Sequence, residues 1–222
     1  MDGNGRWALS RGLPRVAGHA AGVETVRRVV EAAPAAGIGI LTLFAFSSDN
    51  WRRPADEVAA LMRLLAAYLD SETTRSVENG VRLEVIGRRD RLDPALAAAI
   101  ARSEAATSAG QRLLLRVALD YSGRDAILAA ARAARDLSFD AVADALGPPV
   151  DLLIRTGGER RLSDFLLWES AYAELVFTRT MWPDFGESDL AAAVREFHSR
   201  QRRFGAVPAI SGAPRLREAW LD

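Results

Sequence analysis

Four polar clusters in the sequence contain the side chains that could do chemistry. They read DGNGRW with RVAGH behind it, FSSDNWRRP, DYSGRD and RTGGERRLSDF, and each of the last three directly follows an apolar run. In parallel α/β sheets, ligands bind beyond the carboxyl ends of the strands. These clusters are therefore the places where we expect a substrate or a metal to bind.

The first cluster combines a carboxylate, two glycines and several cationic side chains. Asp2 stands beside the glycines, and Arg6, Arg15 and His19 follow along the chain. This set suits a phosphate-bearing ligand with a divalent metal on Asp2, because Mg²⁺ commonly binds through one or two carboxylates plus substrate phosphates. Gly-Asn-Gly is also an ordinary turn signal, so the cluster taken alone favours a plain turn.

The cluster after the strand-like run VDLLI adds a second anion site. Arg155 ends the run, two glycines form a turn, and Arg161 and Ser163 follow at the start of a helix predicted over residues 162–171. Backbone N–H groups and the helix dipole favour an anion at such a start, and arginine suits bidentate phosphate contacts. Two phosphate-type sites, one with a carboxylate for metal, predict two diphosphate substrates rather than one nucleotide.

The composition excludes several other chemistries. The 222-residue chain contains no cysteine and no lysine. Thiolate nucleophiles, cysteine-based zinc sites, Schiff bases and a P-loop lysine are therefore impossible. The 29 basic and 29 acidic residues balance, so we expect no nucleic acid partner.

Five apolar, β-rich runs separated by alanine-rich stretches of helical spacing predict the elements that position these clusters. The runs lie in GIGILTLFAFSSDNW, GVRLEVIGRRD, RLLLRVALDYSGRD, PVDLLIRTGGER and AELVFTRTMWPDF, and helices are predicted over residues 22–33, 54–80, 94–109, 124–146, 162–171 and 187–203. Continuous apolar strands that alternate with helices are typical of a mostly parallel sheet covered on both faces. We predict a single α/β domain.

Apolar side chains lie next to the second polar cluster. Phe44, Phe46 and Trp51 flank it, and the predicted helix over residues 54–80 has an aliphatic face. Diphosphate groups beside an apolar wall suggest prenyl substrates, although the same side chains would also suit an ordinary core.

Several longer motifs are recognisable. MDGNGRW, the GH at residues 18–19, LTLFAFSSDNWRRP, VDLLIRTGGERRLSDFLLWESAYAEL, WPDF and RRFG occur in this order. Together they resemble the cis-prenyltransferases, and within that family the bacterial undecaprenyl diphosphate synthases. The resemblance implies a catalytic domain over residues 1–205 and an extended tail over residues 206–222. It also implies repeated condensation of isopentenyl diphosphate onto an allylic diphosphate, usually farnesyl diphosphate. The product would be a long cis-polyprenyl diphosphate such as undecaprenyl diphosphate.

The resemblance also implies roles for single residues. The catalytic set would be Asp2, Asn4 and Asn50, with Mg²⁺ on Asp2 and on Glu174 donated across a homodimer. The allylic diphosphate would bind at Gly3, Gly5, Arg6, Trp7, Arg15 and His19, and isopentenyl diphosphate at Arg155, Arg161 and Ser163. Ser47, Trp51 and Arg53 would lie with Asn50 on a flexible loop that closes over the substrates.

In this family, the depth of an apolar tunnel between the sheet and two helices sets the product length. Ala45 stands where short-chain members tend to have a bulky residue, and Leu113 at a position associated with the tunnel floor, so a long product is implied. The family sheet has about six strands, and only Met1 precedes Asp2 here. We therefore expect the first strand to be absent from this sequence, through a start codon placed too late or a real truncation.

No run approaches the roughly 20 apolar residues that span a bilayer, and the N-terminus lacks a secretion signal. We expect a cytoplasmic protein that contacts the inner face of the membrane only transiently, to release an apolar product. The alternatives are a noncatalytic partner subunit of a prenyltransferase complex, a short-chain cis-prenyl diphosphate synthase, and a generic sugar-phosphate or nucleotide hydrolase. Partner subunits typically lose the catalytic set that this chain retains, and a hydrolase would release phosphate without chain growth.

Overall fold

The computed structural model describes residues 1–200. The helices are α1 (Asn4–Leu9), α2 (Arg15–Ala32), α3 (Ala55–Glu78), α4 (Pro94–Ala106), α5 (Gly123–Ala133), α6 (Phe139–Leu146) and α7 (Glu187–Ser199), with short 3₁₀-helices at Ser48–Arg52 and Trp182–Asp184. The strands are β1 (Ile40–Ser47), β2 (Val81–Ile86), β3 (Leu113–Tyr121), β4 (Leu152–Arg155) and β5 (Glu174–Phe177). The predicted tail over residues 206–222 and the RRFG motif lie outside the described residues.

The five strands fall in the five predicted runs, and every strand pair is parallel. β3 lies between β1 and β2, whereas β4 and β5 form a separate pair. Helices flank these sheets, so the prediction of a parallel α/β fold is confirmed. In residues 1–200 no strand lies between β1 and β4, and a large cavity occupies that position instead.

The core is centred on β3, which is buried along nearly its whole length. Its side chains Leu113, Leu115 and Leu119 pack with residues of α4 such as Ile100, which has no exposed surface. Two register shifts in the β1–β3 ladder leave Ala45 and Asp120 without a paired residue. Such bulges redirect side chains, and both of these lie at the carboxyl end of the sheet.

Helices α2 and α3 run side by side in the same direction. His19 contacts Glu57, and ion pairs link Arg27 with Glu72 and Glu31 with Arg75, in the same order along both helices. The His19–Glu57 contact lies at the carboxyl end of the sheet, so one helix pair connects the polar end of the fold with its far end.

Three helix predictions need correction. Helix α2 begins at Arg15 rather than at residue 22, and the helix predicted over residues 124–146 is two helices. Helices α5 and α6 are separate because Ala134 has an extended backbone, which ends α5. Ser138 then caps the start of α6, and its hydroxyl accepts from the Ala141 N–H at 3.3 Å.

No helix forms over residues 162–171, where the chain makes successive turns. Ser163, Asp164 and Leu166 have positive φ, a conformation that a helix excludes. The carboxylate of Asp164 accepts from the Ser122 hydroxyl at 2.6 Å and the Arg124 N–H at 3.1 Å. This segment therefore caps the start of α5 instead of forming a helix of its own.

The helices of residues 1–200 include none that is both long enough and apolar enough to cross a membrane.

Candidate active site

A cavity of about 930 Å³ lies between β1 and β4 and extends along α2 and α3. Its mouth is polar and its body is apolar. The mouth is lined by Asp2, Arg6, Arg15, His19, Asn50, Arg53, Arg155 and Ser163, and the body by residues such as Val23, Val26, Leu41, Leu61, Met62 and Leu65. The predicted combination of phosphate-type side chains and apolar volume is therefore present in one place.

The backbone of Asp2 is fixed at the end of β4. Its N–H donates to the Thr156 hydroxyl at 2.9 Å, and its carbonyl accepts from that hydroxyl at 2.8 Å and from the Trp182 N–H at 3.0 Å. These bonds direct the Asp2 side chain into the mouth of the cavity. Sequence reasoning missed Thr156, because a single threonine after a strand carries no pattern.

The carboxylate of Asp2 is the centre of an ionic network. It accepts from the Gly3 N–H at 2.6 Å, from Arg155 Nη2 at 3.0 Å and from Arg6 Nη2 at 3.3 Å. Burial by itself would raise the pKa of Asp2, but the bonds from Arg155 and Gly3 and the charges of both arginines outweigh burial, and the pKa lies below its usual value. Asp2 is therefore ionised at neutral pH, as a metal ligand must be.

Arg155 joins the two predicted phosphate clusters. Nη2 contacts Asp2, while Nη1 donates to the Ser163 hydroxyl at 2.8 Å and to the backbone carbonyl of Arg161. The predicted helix start at Ser163 is wrong, and this anion site has no helix dipole. Arg161 extends from the turn, with its side chain 61% exposed, and pairs with Glu159.

A second group of cations gathers on Glu57 at the first turn of α3. Its carboxylate contacts Arg53 Nη1 at 3.1 Å, Arg15 Nε at 3.4 Å and His19 Nε2 at 3.5 Å. Sequence reasoning treated Glu57 only as a helix-start acid. The sequence signal that could have found it is the nearby Arg53, which precedes the helix and reaches the Glu57 carboxylate.

His19 lies largely buried beside Glu57. Its side chain is 12% exposed, and its Nε2 has no aligned hydrogen bond. Burial and the charge of Arg53 lower its pKa, and the charge of Glu57 only partly opposes them. A diphosphate at this position could accept a hydrogen bond from His19 Nε2, which has no aligned partner.

Helix α1 holds the first cluster in shape. Gly3 precedes it with φ of 106°, a conformation that favours glycine. At Gly5 a Cβ would lie 2.8 Å from the Arg15 guanidinium carbon, so only glycine allows that arginine to lie against the helix. Asn4 donates to the Met1 carbonyl at 3.1 Å, and its buried Oδ1 has no partner.

The loop after β1 carries the predicted substrate-loop residues. Asn50 Oδ1 accepts from the Ser47 N–H at 3.1 Å, which caps the 3₁₀-helix Ser48–Arg52. Asn50 and Arg53 reach the cavity. The Trp51 ring instead packs on Phe46, with centroids 5.2 Å apart, and does not line the cavity.

Three further predicted residues lie away from this mouth. Trp7 donates to Asp184 Oδ1 at 2.7 Å and does not line the cavity. Leu113 is buried in the core at the start of β3, whereas Ala45 does line the cavity. Glu174 begins β5, at the end of the small sheet opposite Asp2, and pairs with Arg200 at 2.7 Å.

The protein metal ligands at this site are few. Residues 1–200 contain no group of three or more His, Cys, Asp or Glu side chains that could hold a metal ion by themselves. Asp2 is an ionised, partly exposed carboxylate. A site of this kind fits a metal that takes most of its ligands from substrate phosphates and water.

Several arginines and one carboxylate at the mouth of a largely apolar cavity fit the class of α/β proteins that bind prenyl diphosphates. The chain belongs to the family of undecaprenyl diphosphate synthases, the cis-prenyltransferases, whose sequence profile matches residues 1–205. The resemblance in the sequence motifs is thereby confirmed.

Individual relatives support the same family assignment. The chain is 63% identical to isoprenyl transferase 1 of Bradyrhizobium diazoefficiens over 95% of this chain and 89% of that protein. It is 51% identical to the (2E,6E)-farnesyl-diphosphate-specific ditrans,polycis-undecaprenyl-diphosphate synthase of Pseudomonas aeruginosa, over 92% and 88%. The crystal structure of lavandulyl diphosphate synthase from Lavandula x intermedia with dimethylallyl diphosphate superimposes with a TM-score of 0.88 at 34% identity, covering 92% of this chain and 95% of that one.

Proposed function

We propose that this chain is an enzyme that adds isopentenyl diphosphate units to an allylic diphosphate, such as farnesyl diphosphate, and releases a long cis-polyprenyl diphosphate such as undecaprenyl diphosphate. One observation carries the proposal: the network of Asp2, Arg155 and neighbouring cations opens directly into an apolar cavity of about 930 Å³. The part of the cavity that extends along α2 and α3, lined by residues such as Val23, Val26 and Leu65, suits a growing hydrocarbon chain whose diphosphate stays at the mouth. The named activities of the relatives support the same assignment.

The two sets of cations correspond to two diphosphates. Arg15, His19 and Arg53 gather around Glu57 at the shared start of α2 and α3, where the apolar wall begins, so they suit the allylic substrate that carries the long chain. Arg155 and Arg161, with the hydroxyl of Ser163, suit the diphosphate of isopentenyl diphosphate. Arg6 lies between them, bonded to Asp2.

The proposed metal is Mg²⁺, held by Asp2 and by diphosphate oxygens. When bound, it would supply positive charge to the departing diphosphate. The arginines have the same electrostatic task, because preorganised donors stabilise charge that develops in the transition state. Glu174 is proposed as a further ligand only across a homodimer, since within its own chain it lies at the opposite end of β5.

In each addition a carbon–carbon bond forms between the isopentenyl alkene and the allylic carbon, while the allylic carbon–oxygen bond breaks. The electron pair leaves with the diphosphate, and the isopentenyl unit loses a proton. Asn4 and Asn50 reach the cavity, but an amide is a poor base. We assign these two residues to substrate positioning and the proton to a diphosphate oxygen.

Ala45 is proposed to leave room for a long product, because its small side chain lines the cavity wall on β1. Leu113 is buried in the core at the start of β3, so its effect on product length would act through packing behind the wall. The homodimer, a cytoplasmic location and transient membrane contact during product release remain parts of the proposal. The exposed Leu128, Leu137 and Phe139 give the α5–α6 region apolar surface that a second copy could cover.

The test is incubation of the protein with farnesyl diphosphate, labelled isopentenyl diphosphate and Mg²⁺, with and without a chelator. Products are resolved by length and released phosphate is measured. We expect metal-dependent polyprenyl products well beyond farnesyl. Short products would favour a short-chain synthase. Release of inorganic phosphate without chain elongation would favour a hydrolase, and the absence of any incorporation would favour a noncatalytic subunit.

A further inference from the structure

Asp120 is a fully buried carboxylate at the carboxyl end of β3 that the proposed reaction does not use. It has φ of 47° and lies at the position where the β1–β3 register shifts. A non-glycine residue in this conformation is held there by its surroundings. The bulge turns Asp120 towards the loops that follow β1 and β2.

Two loops meet on Asp120. Arg91, from the loop after β2, donates to both carboxylate oxygens, with Nε at 2.8 Å from Oδ2. Ser48, from the loop after β1, donates its hydroxyl to Oδ1 at 3.1 Å and towards the Asp120 carbonyl at 3.3 Å. The same Arg91 guanidinium lies 5.5 Å from the centre of the Trp51 ring.

The loop after β1 has few other anchors. None of the residues in the 3₁₀-helix Ser48–Arg52 is buried. Asp49 and Arg52 pair with each other at the surface, which leaves Ser48 and Trp51 as the contacts with the sheet. The position of this loop decides where Asn50 and Arg53 stand at the cavity mouth.

We propose that Ser48, Arg91 and Asp120 form a latch that holds the substrate loop in a binding-competent position. Asp120 and Ser48 are positioning residues, because neither touches the cavity. Arg91 pairs with the buried carboxylate of Asp120, and the same carboxylate accepts from the hydroxyl of Ser48. The kinetic part of this inference rests on the proposed function.

The latch predicts a loss of substrate affinity when its link to the loop is cut. Because a hydrogen bond to a carboxylate is among the stronger single contacts, Ser48→Ala should raise KM for the diphosphate substrates about tenfold, with little change in kcat. Asp120→Asn should act in the same direction. Ser48→Thr keeps the hydroxyl and should restore KM. Arg88→Ala is the matched control, because it removes only the exposed Arg88 pair with Asp90 from the same loop as Arg91.

A second measurement needs no activity. The Arg52 side chain is 87% exposed, and the Arg52–Arg53 bond is a site for trypsin, whereas the following Arg–Pro bond resists it. Cleavage after residue 52, followed by mass spectrometry on the substrate-free protein, should be faster in Ser48→Ala and Asp120→Asn than in wild type and Arg88→Ala. If wild type elongates no chain, the proposed function fails while the cleavage rates still decide the latch. The latch proposal would be overturned if Ser48→Ala left both KM and the cleavage rate unchanged. It would also be overturned if Arg88→Ala changed KM and the cleavage rate as much as Ser48→Ala does.

Discussion

Replacing Asp2 by asparagine separates the electrostatic role of the carboxylate from its contribution to the fold. The substitution keeps the size of the side chain and removes the charge that Arg155 and Arg6 contact at 3.0 and 3.3 Å. The Asp2 side chain is 35% exposed, so solvent screens the pair and its loss should cost only about 1 kcal/mol of stability. Folding should therefore be almost intact.

The expected loss in turnover is far larger. A preorganised electrostatic group at the reacting centre is typically worth about a hundredfold to a thousandfold in kcat, and Asp2 is both the proposed metal ligand and the partner of Arg155. The assay is incorporation of labelled isopentenyl diphosphate at saturating Mg²⁺, with thermal unfolding measured on the same preparation.

Asp184→Asn is the matched control for that experiment. Asp184 accepts from Trp7 Nε1 at 2.7 Å and from Arg11 Nη2 at 3.3 Å, its side chain is half exposed, and it does not line the cavity. We expect its turnover to stay near wild type. Retained turnover in Asp2→Asn, or an equal loss in Asp184→Asn, would refute the reasoning.

Three further predictions concern pH, product length and the core. Because burial and Arg53 lower the pKa of His19, the unfolded chain binds more protons than the folded chain at pH values just below the ordinary imidazole pKa of about 6.5. The free energy of unfolding measured in urea should therefore fall as the pH drops through that range. His19→Gln should flatten this fall. An unchanged slope would contradict this. Ala45→Leu should shorten the polyprenyl products on chromatography, and the same length distribution would mean that the β1 wall does not limit growth. Ile100→Ala should lower the free energy of unfolding by about 2–5 kcal/mol, since Ile100 has no exposed surface; a loss below 1 kcal/mol would show that α4 is not part of the tight core.

The strands were the predictable part of the fold. Their apolar runs, such as that of β3, are long and continuous because both faces of a parallel strand are covered. The segment over residues 162–171 has apolar spacing that resembles a helix, yet Asp164 is engaged with Ser122 and the start of α5. That tertiary contact cannot be read from local spacing.

The sequence indicated the site residues that lie in the family motifs, and its prediction of the site was incomplete outside those motifs. Asp2 and Arg155 lie 3.0 Å apart at the end of β4, which joins two clusters that the sequence predicted as separate sites. Glu57 was missed because an acidic residue in a first helical turn already has a local explanation. The motif residue Trp7 is bonded to Asp184, a partner 177 positions away in sequence that no local pattern indicates.

The central claim is that diphosphates held at the Asp2–Arg155 mouth extend a chain inside the apolar cavity by cis addition. The most direct measurement is the length and double-bond geometry of the products formed from farnesyl diphosphate and labelled isopentenyl diphosphate, determined by mass spectrometry and NMR. The account predicts long polyprenyl diphosphates in which every newly formed double bond is cis. Trans double bonds, or consumption of substrate without new carbon–carbon bonds, would contradict it.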